Sequence, residues 1–206
     1  MLLKDHDLFI FDWDGTICTS TILVRLTRLF KIRYNPGYIR RHQDKFRIDT
    51  IEKLNQREQV SAAYSSLYTL YSMFASTRLK PNAAEILEKL KLRGKKVALF
   101  SDANRYRLFI DVKRLGVLDD FDFVLSGDAI RRFKPNPTGL IAIREKFRVP
   151  PNRTVYVGDM AVDIFSARFA KMHSCGVGDG VDPYELVKSA DPDYMFRSMK
   201  ELSMKL

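Results

Sequence analysis

Leu8-Phe9-Ile10-Phe11-Asp12-Trp13-Asp14-Gly15-Thr16 is the stretch whose reading decides the fold. Four consecutive large apolar residues leave no polar face, so the run predicts a strand buried on both sides of a sheet. An acidic, glycine-containing turn follows at once and places carboxylates at the strand's carboxyl end. Outward from it, the same texture recurs. Apolar runs at Lys96-Val97-Ala98-Leu99-Phe100, Phe121-Asp122-Phe123-Val124-Leu125 and Thr154-Val155-Tyr156-Val157 read as further strands. Helical patterns from about Asn104 to Leu115, Pro137 to Phe147 and Ala161 to Lys171 separate or follow them, and a last apolar stretch at Asp193-Tyr194-Met195-Phe196 precedes a terminal helix. This alternation predicts βαβ units around a parallel sheet covered on both faces, an α/β fold of Rossmann-like type.

Residues 17–80 break the alternation. Ile22, Leu26, Leu29 and Phe30 recur at helical spacing, Pro36-Gly37 interrupts, and a charged helical stretch follows from Arg40 to Glu58. Residues 61–77 carry no charge, and Tyr64, Leu67, Tyr68, Tyr71 and Phe74 form one helical stripe. The segment reads as an all-helical cap inserted into a core made of residues 1–16 and 81–206. The stripe reads as cap core before it reads as a substrate pocket.

The 206 residues suffice for one sizeable domain with an inserted module, and 46% apolar with 29% charged residues is ordinary globular composition. Collagen-like, disordered and disulfide-scaffold classes are excluded. No apolar run is long enough for a membrane span, and Met1 to Asp7 has neither the apolar core nor the cleavage site of a leader. Cys18 and Cys175 lack metal-ligand spacing. A reduced, cytoplasmic protein is therefore expected. The net charge of +10 is concentrated: residues 17–80 hold 12 basic against 4 acidic side chains, the rest 23 against 21. Such a field draws anions without choosing among metabolite, nucleic acid and acidic membrane surface.

Open parallel sheets bind ligands beyond the carboxyl ends of their strands. The residues found there are Asp12-Trp13-Asp14-Gly15-Thr16, Ser101-Asp102, Lys134-Pro135, and Gly158-Asp159 with Asp163 four residues on. Together, and in this order, they resemble the four motifs of the haloacid dehalogenase-like superfamily, specifically its phosphoglycolate phosphatase-like branch with a helical cap after the first motif. Thr19 stands where phosphoglycolate-type sequences commonly carry aspartate, a departure that bears on substrate and not on chemistry.

The resemblance implies Mg²⁺-dependent hydrolysis of a small phosphate monoester, with catalytic Asp12, Asp14 and Lys134. Asp12 would attack phosphorus and form an aspartyl-phosphate. Asp14 would protonate the leaving oxygen and then deprotonate the hydrolytic water; hydrolytic dehalogenases lack this second carboxylate. Ser101 would bind the phosphoryl group with backbone N–H groups of the following helix start. Lys134 would hold Asp12 and the phosphate together. The Asp12 and Asp159 carboxylates and the Asp14 backbone carbonyl would hold Mg²⁺, with Asp163 in support. Converging carboxylates are themselves what a hard divalent cation prefers. Strand geometry would put Asp12 and Asp14 on the same side, unless a local turn after Asp12 redirects the second carboxylate.

Blander readings stand beside these. Asp102 reads as a helix cap first and a substrate contact second; Thr16 ties the turn at Gly15; Trp13 and Cys18 read as packing residues. Gly176-Val177-Gly178-Asp179-Gly180 reads as an ordinary loop, since it lacks the strand–turn–helix context of a nucleotide site. Arg131 and Arg132 compete with Lys134 as the site's cation. The expected partner is a small phosphorylated metabolite. A nucleic-acid end, favoured only by the basic cap, a sugar-phosphate mutase and a non-catalytic scaffold are the rival readings, and the oligomeric state stays open between monomer and homodimer.

Overall fold

The computed structural model describes residues 2–19 and 77–206. The expected cap helices and the tyrosine stripe lie outside these residues.

Six parallel strands form one sheet: β1 Leu8–Phe11, β2 Lys96–Ser101, β3 Phe123–Ser126, β4 Thr154–Gly158, β5 His173–Val177 and β6 Tyr194–Phe196. Their order is β3-β2-β1-β4-β5-β6, with Phe11 paired to Leu99 on one side and to Val157 on the other. The strand of four apolar residues is thus central, as its lack of a polar face requires. β2 and β3 extend the sheet one way from β1; β4, β5 and β6 extend it the other way. The switch point lies between β1 and β4.

The helices are α1 Ala83–Leu92, α2 Arg105–Arg114, α3 Thr138–Phe147, α4 Ala161–Phe169, α5 Tyr184–Ser189 and α6 Met199–Lys205, with one-turn helices at Leu2–Asp5 and Gly127–Ile130. Alternate strand residues serve two cores. Phe9, Phe11, Val97, Leu99, Val155, Val157 and Val177 pack with Ile86, Leu87 and Leu90 of α1, Leu108 and Val112 of α2, and Leu202 of α6. Leu8, Ile10, Ala98, Phe100 and Tyr156 pack on the opposite face with Leu140 and Ile143 of α3 and Ala167 of α4. Helices on both faces bury the central strands β1 and β4 throughout, which explains their unbroken apolar runs, while the edge strands β3 and β6 stay half-buried.

β5 departs from expectation. His173-Ser174-Cys175-Gly176-Val177 contains two small polar or featureless positions and is not among the runs read as strands, yet it pairs with both β4 and β6. The ends of the expected insertion run side by side: the Thr19 N–H donates to the Arg78 carbonyl at 2.8 Å and the Lys80 N–H to the Ile17 carbonyl at 2.9 Å. Ile17 and Cys18 are packed in the first core. Among the described residues no helix is long and apolar enough to cross a membrane.

Candidate active site

Asp12 follows β1 and Asp159 follows β4, so the two central strands deliver their carboxylates to the switch point. The Asp12 N–H continues the ladder by donating to the Val157 carbonyl at 2.8 Å. Asp163 joins from the first turn of α4, where its Oδ2 accepts the Met160 N–H at 2.9 Å. All three are buried, and one carboxylate oxygen of each lies within 4.8 Å of the others. Lys134 reaches into the cluster: its Nζ donates to Asp12 Oδ1 and to Asp163 Oδ1, both at 2.7 Å. Arg131 is exposed and Arg132 half-buried, so Lys134 is the cation that the fold brings to Asp12.

Burial dominates the electrostatics. It pushes the Asp12 carboxyl well above the ordinary carboxylate value; Lys134 pulls it back, and Asp163 and Asp159 add repulsion. Burial also raises Asp159, to about 7, with Asp163 the next cause. For Lys134 burial acts downward, but Asp12 and Asp163 outweigh it and hold the ammonium well above its ordinary value. Three carboxylates against one ammonium leave a formal deficit of positive charge. A small divalent cation with oxygen ligands fits the donor set that Asp12, Asp159 and Asp163 offer together. Tyr156, missed by sequence reasoning because it sits mid-strand, is wholly buried below the cluster. Its hydroxyl lies 3.1 Å from the Phe100 carbonyl oxygen and 3.3 Å from Asp163 Oδ1.

The second aspartate is not in the cluster. The chain turns immediately after Asp12: the Trp13 carbonyl accepts the Ile17 and Cys18 N–H groups, each at 3.1 Å, and Gly15 takes φ +89°. That turn is the local redirection left open by the spacing. Asp14 is carried to Arg107 of α2, which forks both its carboxylate oxygens, one of them at 2.8 Å. Arg107 had no motif to mark it. Its only sequence signal is a basic residue on the buried face of α2, next to Leu108 and in register with Asp111 and Val112.

Two expectations are corrected. Asp102 does not cap α2; Asn104 does, accepting the Tyr106 N–H at 3.0 Å, while Asp102 accepts the Lys134 N–H at 3.1 and 3.2 Å. An aspartate two residues before the cap braces the loop that carries the lysine. The Thr16 hydroxyl reaches beyond its own turn, donating to Asp159 Oδ1 at 2.7 Å. Ser101 is buried at the end of β2, and its Oγ accepts the Ala103 N–H at 3.1 Å. Nearby amides are also engaged, since the Arg105 N–H reaches Asp128 at 3.4 Å. Trp13 and Cys18 are wholly buried packing residues, and burial pushes the Cys18 thiol well up.

The segment Gly178–Gly180, expected as an ordinary loop, forms a wall of the site. A Cβ on Gly180 would lie 2.2 Å from Asp159 Oδ2, and one on Gly15 2.3 Å from the same atom. Asp159 is therefore held between two glycine backbones, while the Val181 N–H donates to its Oδ2 at 2.5 Å. Lys80, at the end of the expected insertion, fastens this wall by donating to the carbonyls of Gly15 at 2.9 Å and Asp179 at 3.0 Å.

The chain is similar to known proteins along most of its length. Residues 6–171 match the sequence model of the haloacid dehalogenase-like hydrolases. The chain is 27% identical over 221 residues to a phosphoglycolate phosphatase of Nitrosococcus oceani, covering 98% of this chain and 96% of that protein. It is 23% identical over 209 residues to the pyrophosphatase PpaX of Oceanobacillus iheyensis, covering 94% and 93%. Among solved structures, a haloacid dehalogenase-like family protein of Streptococcus pneumoniae superposes with a TM-score of 0.70 at 17% identity over 97% of this chain and 98% of that one.

Proposed function

The chain belongs to the haloacid dehalogenase-like hydrolases, and from that membership we propose that it is a Mg²⁺-dependent phosphatase acting on a small phosphate monoester through an aspartyl-phosphate on Asp12. The observation that carries the reading is Lys134 bridging Asp12 and Asp163 at 2.7 Å each, inside a buried three-carboxylate cluster. A fold that needed only stability would gain little by burying four charges together. The names of the relatives, phosphoglycolate phosphatase and pyrophosphatase, favour phosphorylated substrates.

In this reading Asp12 Oδ2, the oxygen not bonded to Lys134, attacks phosphorus as the leaving oxygen departs with a proton from Asp14. Lys134 holds the attacking carboxylate and offers charge to the phosphoryl oxygens. Ser101, buried at the end of the neighbouring strand, binds the phosphoryl group, and Asp102 acts on substrate only through the Lys134 loop. The second step passes water to phosphorus and returns the proton to Asp14. Asp12, Asp159 and the Asp14 carbonyl would hold Mg²⁺, which supplies charge neutralisation between carboxylate and phosphate. Asp163 holds Lys134, as the 2.7 Å contact indicates, and acts as a supporting group. Residues 17–80 are assigned to the cap, and residues 1–16 and 81–206 to the catalytic core.

The test is phosphate release from an aryl phosphate with wild type and Asp12→Asn, with and without Mg²⁺. Turnover that requires Mg²⁺ and disappears in the variant supports the reading. Full activity in Asp12→Asn removes the nucleophile assignment.

A further inference from the structure

Arg107 is 1% exposed, yet it carries a full charge in the first turn of α2. A cation there opposes the helix dipole, and a buried ion pair is seldom more stabilising than apolar residues of the same volume. Leu108 and Val112 show that the surroundings would accept such residues. Stability therefore does not explain the arginine, and its contacts suggest what does. The two terminal nitrogens fork the two oxygens of Asp14, the geometry that fixes a carboxylate in position and plane. Behind the fork, Nε donates to Asp111 at 3.2 Å. Asp111 is itself pinned, accepting from the Thr77 hydroxyl at 3.1 Å and from Arg114 at 3.2 Å. The side chain of Asp14 remains 12% exposed against 1% for Arg107, so the carboxylate is gripped from the protein side and open on the other.

We propose that Arg107 is the positioning residue of the hydrolytic step, holding the Asp14 carboxylate at one orientation so that its free lone pairs receive the proton of the attacking water. The proposal rests on the phosphatase reading above. In that step the water oxygen bonds to phosphorus, the bond from Asp12 oxygen to phosphorus breaks, and the water proton passes to Asp14. The products are phosphate and the regenerated Asp12 carboxylate. The first step, with a leaving group that needs no proton, does not use Asp14. Loss of Arg107 therefore falls on the second step alone.

The experiment uses 2,4-dinitrophenyl phosphate with wild type, Arg107→Gln, Arg107→Lys, Asp14→Asn and the double variant Asp14→Asn/Arg107→Gln. For Arg107→Gln we expect kcat to fall on the order of 10²-fold, within the span of general-base effects. We expect kcat/KM to stay within a few-fold, and acid-quenched protein to carry phosphate on Asp12 in the steady state. Arg107→Lys, charged but without the fork, recovers only part of kcat. The double variant is no slower than Asp14→Asn. Thermal unfolding of the metal-free proteins gives a readout apart from turnover: Asp14→Asn raises the melting temperature in the Arg107→Gln background.

An equal fall in kcat and kcat/KM, without accumulated phosphoprotein, would overturn the proposal, as would additive effects in the double variant. If Arg107→Gln does not fold, Arg107→Lys carries the test by the same split between kcat and kcat/KM. A wild type without Mg²⁺-dependent turnover would be the failure of the phosphatase reading, and this role would fall with it.

Discussion

Asp12 and Asp159 show how one environment sets the behaviour of neighbouring groups. Both carboxyls are raised first by burial, Asp159 to about 7. Lys134 opposes the shift at Asp12 without reversing it, and Asp163 and Asp159 add to it. The shifts also have a consequence for stability. A carboxyl raised in the folded state binds its proton more tightly there than in the unfolded chain. It contributes most below its ordinary value and loses that contribution as pH climbs to the folded value. For Asp159 the window runs from 3.8 to about 7, and Asp12 acts in the same direction. Metal-free protein therefore melts at a lower temperature near pH 8 than near pH 5, and Asp159→Asn reduces the difference. Mg²⁺ raises the melting temperature most at the upper end, where the carboxylates are ionised. Thermal unfolding in chelator and in Mg²⁺ measures both.

At the scale of elements, what was legible depended on how many of a strand's residues had to be apolar. β1, β2 and β4 are buried on both faces, and their runs announced themselves. β5 escaped because Ser174 and Gly176 fill positions that close neighbours reserve: the Ser174 hydroxyl donates to Asp193 at 2.7 Å, and a Cβ on Gly176 would meet Met195 at 2.6 Å. With β5 unseen, the glycine-rich segment after it had no strand end to belong to, and its place beside Asp159 stayed hidden. α1 follows the return to the core at residue 81, was not read as a helix from the sequence, and seals the first core with one face. Leu87→Ala empties a wholly buried position and should cost about 2–5 kcal/mol. Leu92, on the same helix but 79% exposed, should change stability by no more than about 0.5 kcal/mol when made Ala. Urea unfolding of the pair checks the assignment of the buried face.

For the whole molecule, topology converts four separated motifs into one site. Asp12, Lys134, Asp159 and Asp163 were legible because strand ends at a switch point converge, whereas Arg107 lies in the first turn of α2 and Tyr156 in the middle of β4, positions that no spacing rule marks. The charge distribution adds a long-range effect, since the surplus of eight positive charges in residues 17–80 would favour encounter with the anionic substrate of the proposed reaction. Raising NaCl from about 0.01 M to about 0.3 M should lower kcat/KM several-fold and leave kcat nearly unchanged, because salt screens encounter and not the buried cluster. Steady-state kinetics across that range reads the two apart. The central claim, that Asp12 becomes covalently phosphorylated, is tested most directly by borohydride reduction of the protein during turnover of an aryl phosphate in Mg²⁺, followed by peptide mass spectrometry. The account predicts homoserine in place of aspartate at position 12 and nowhere else. Turnover that leaves Asp12 unreduced, or homoserine at Asp14, would contradict it.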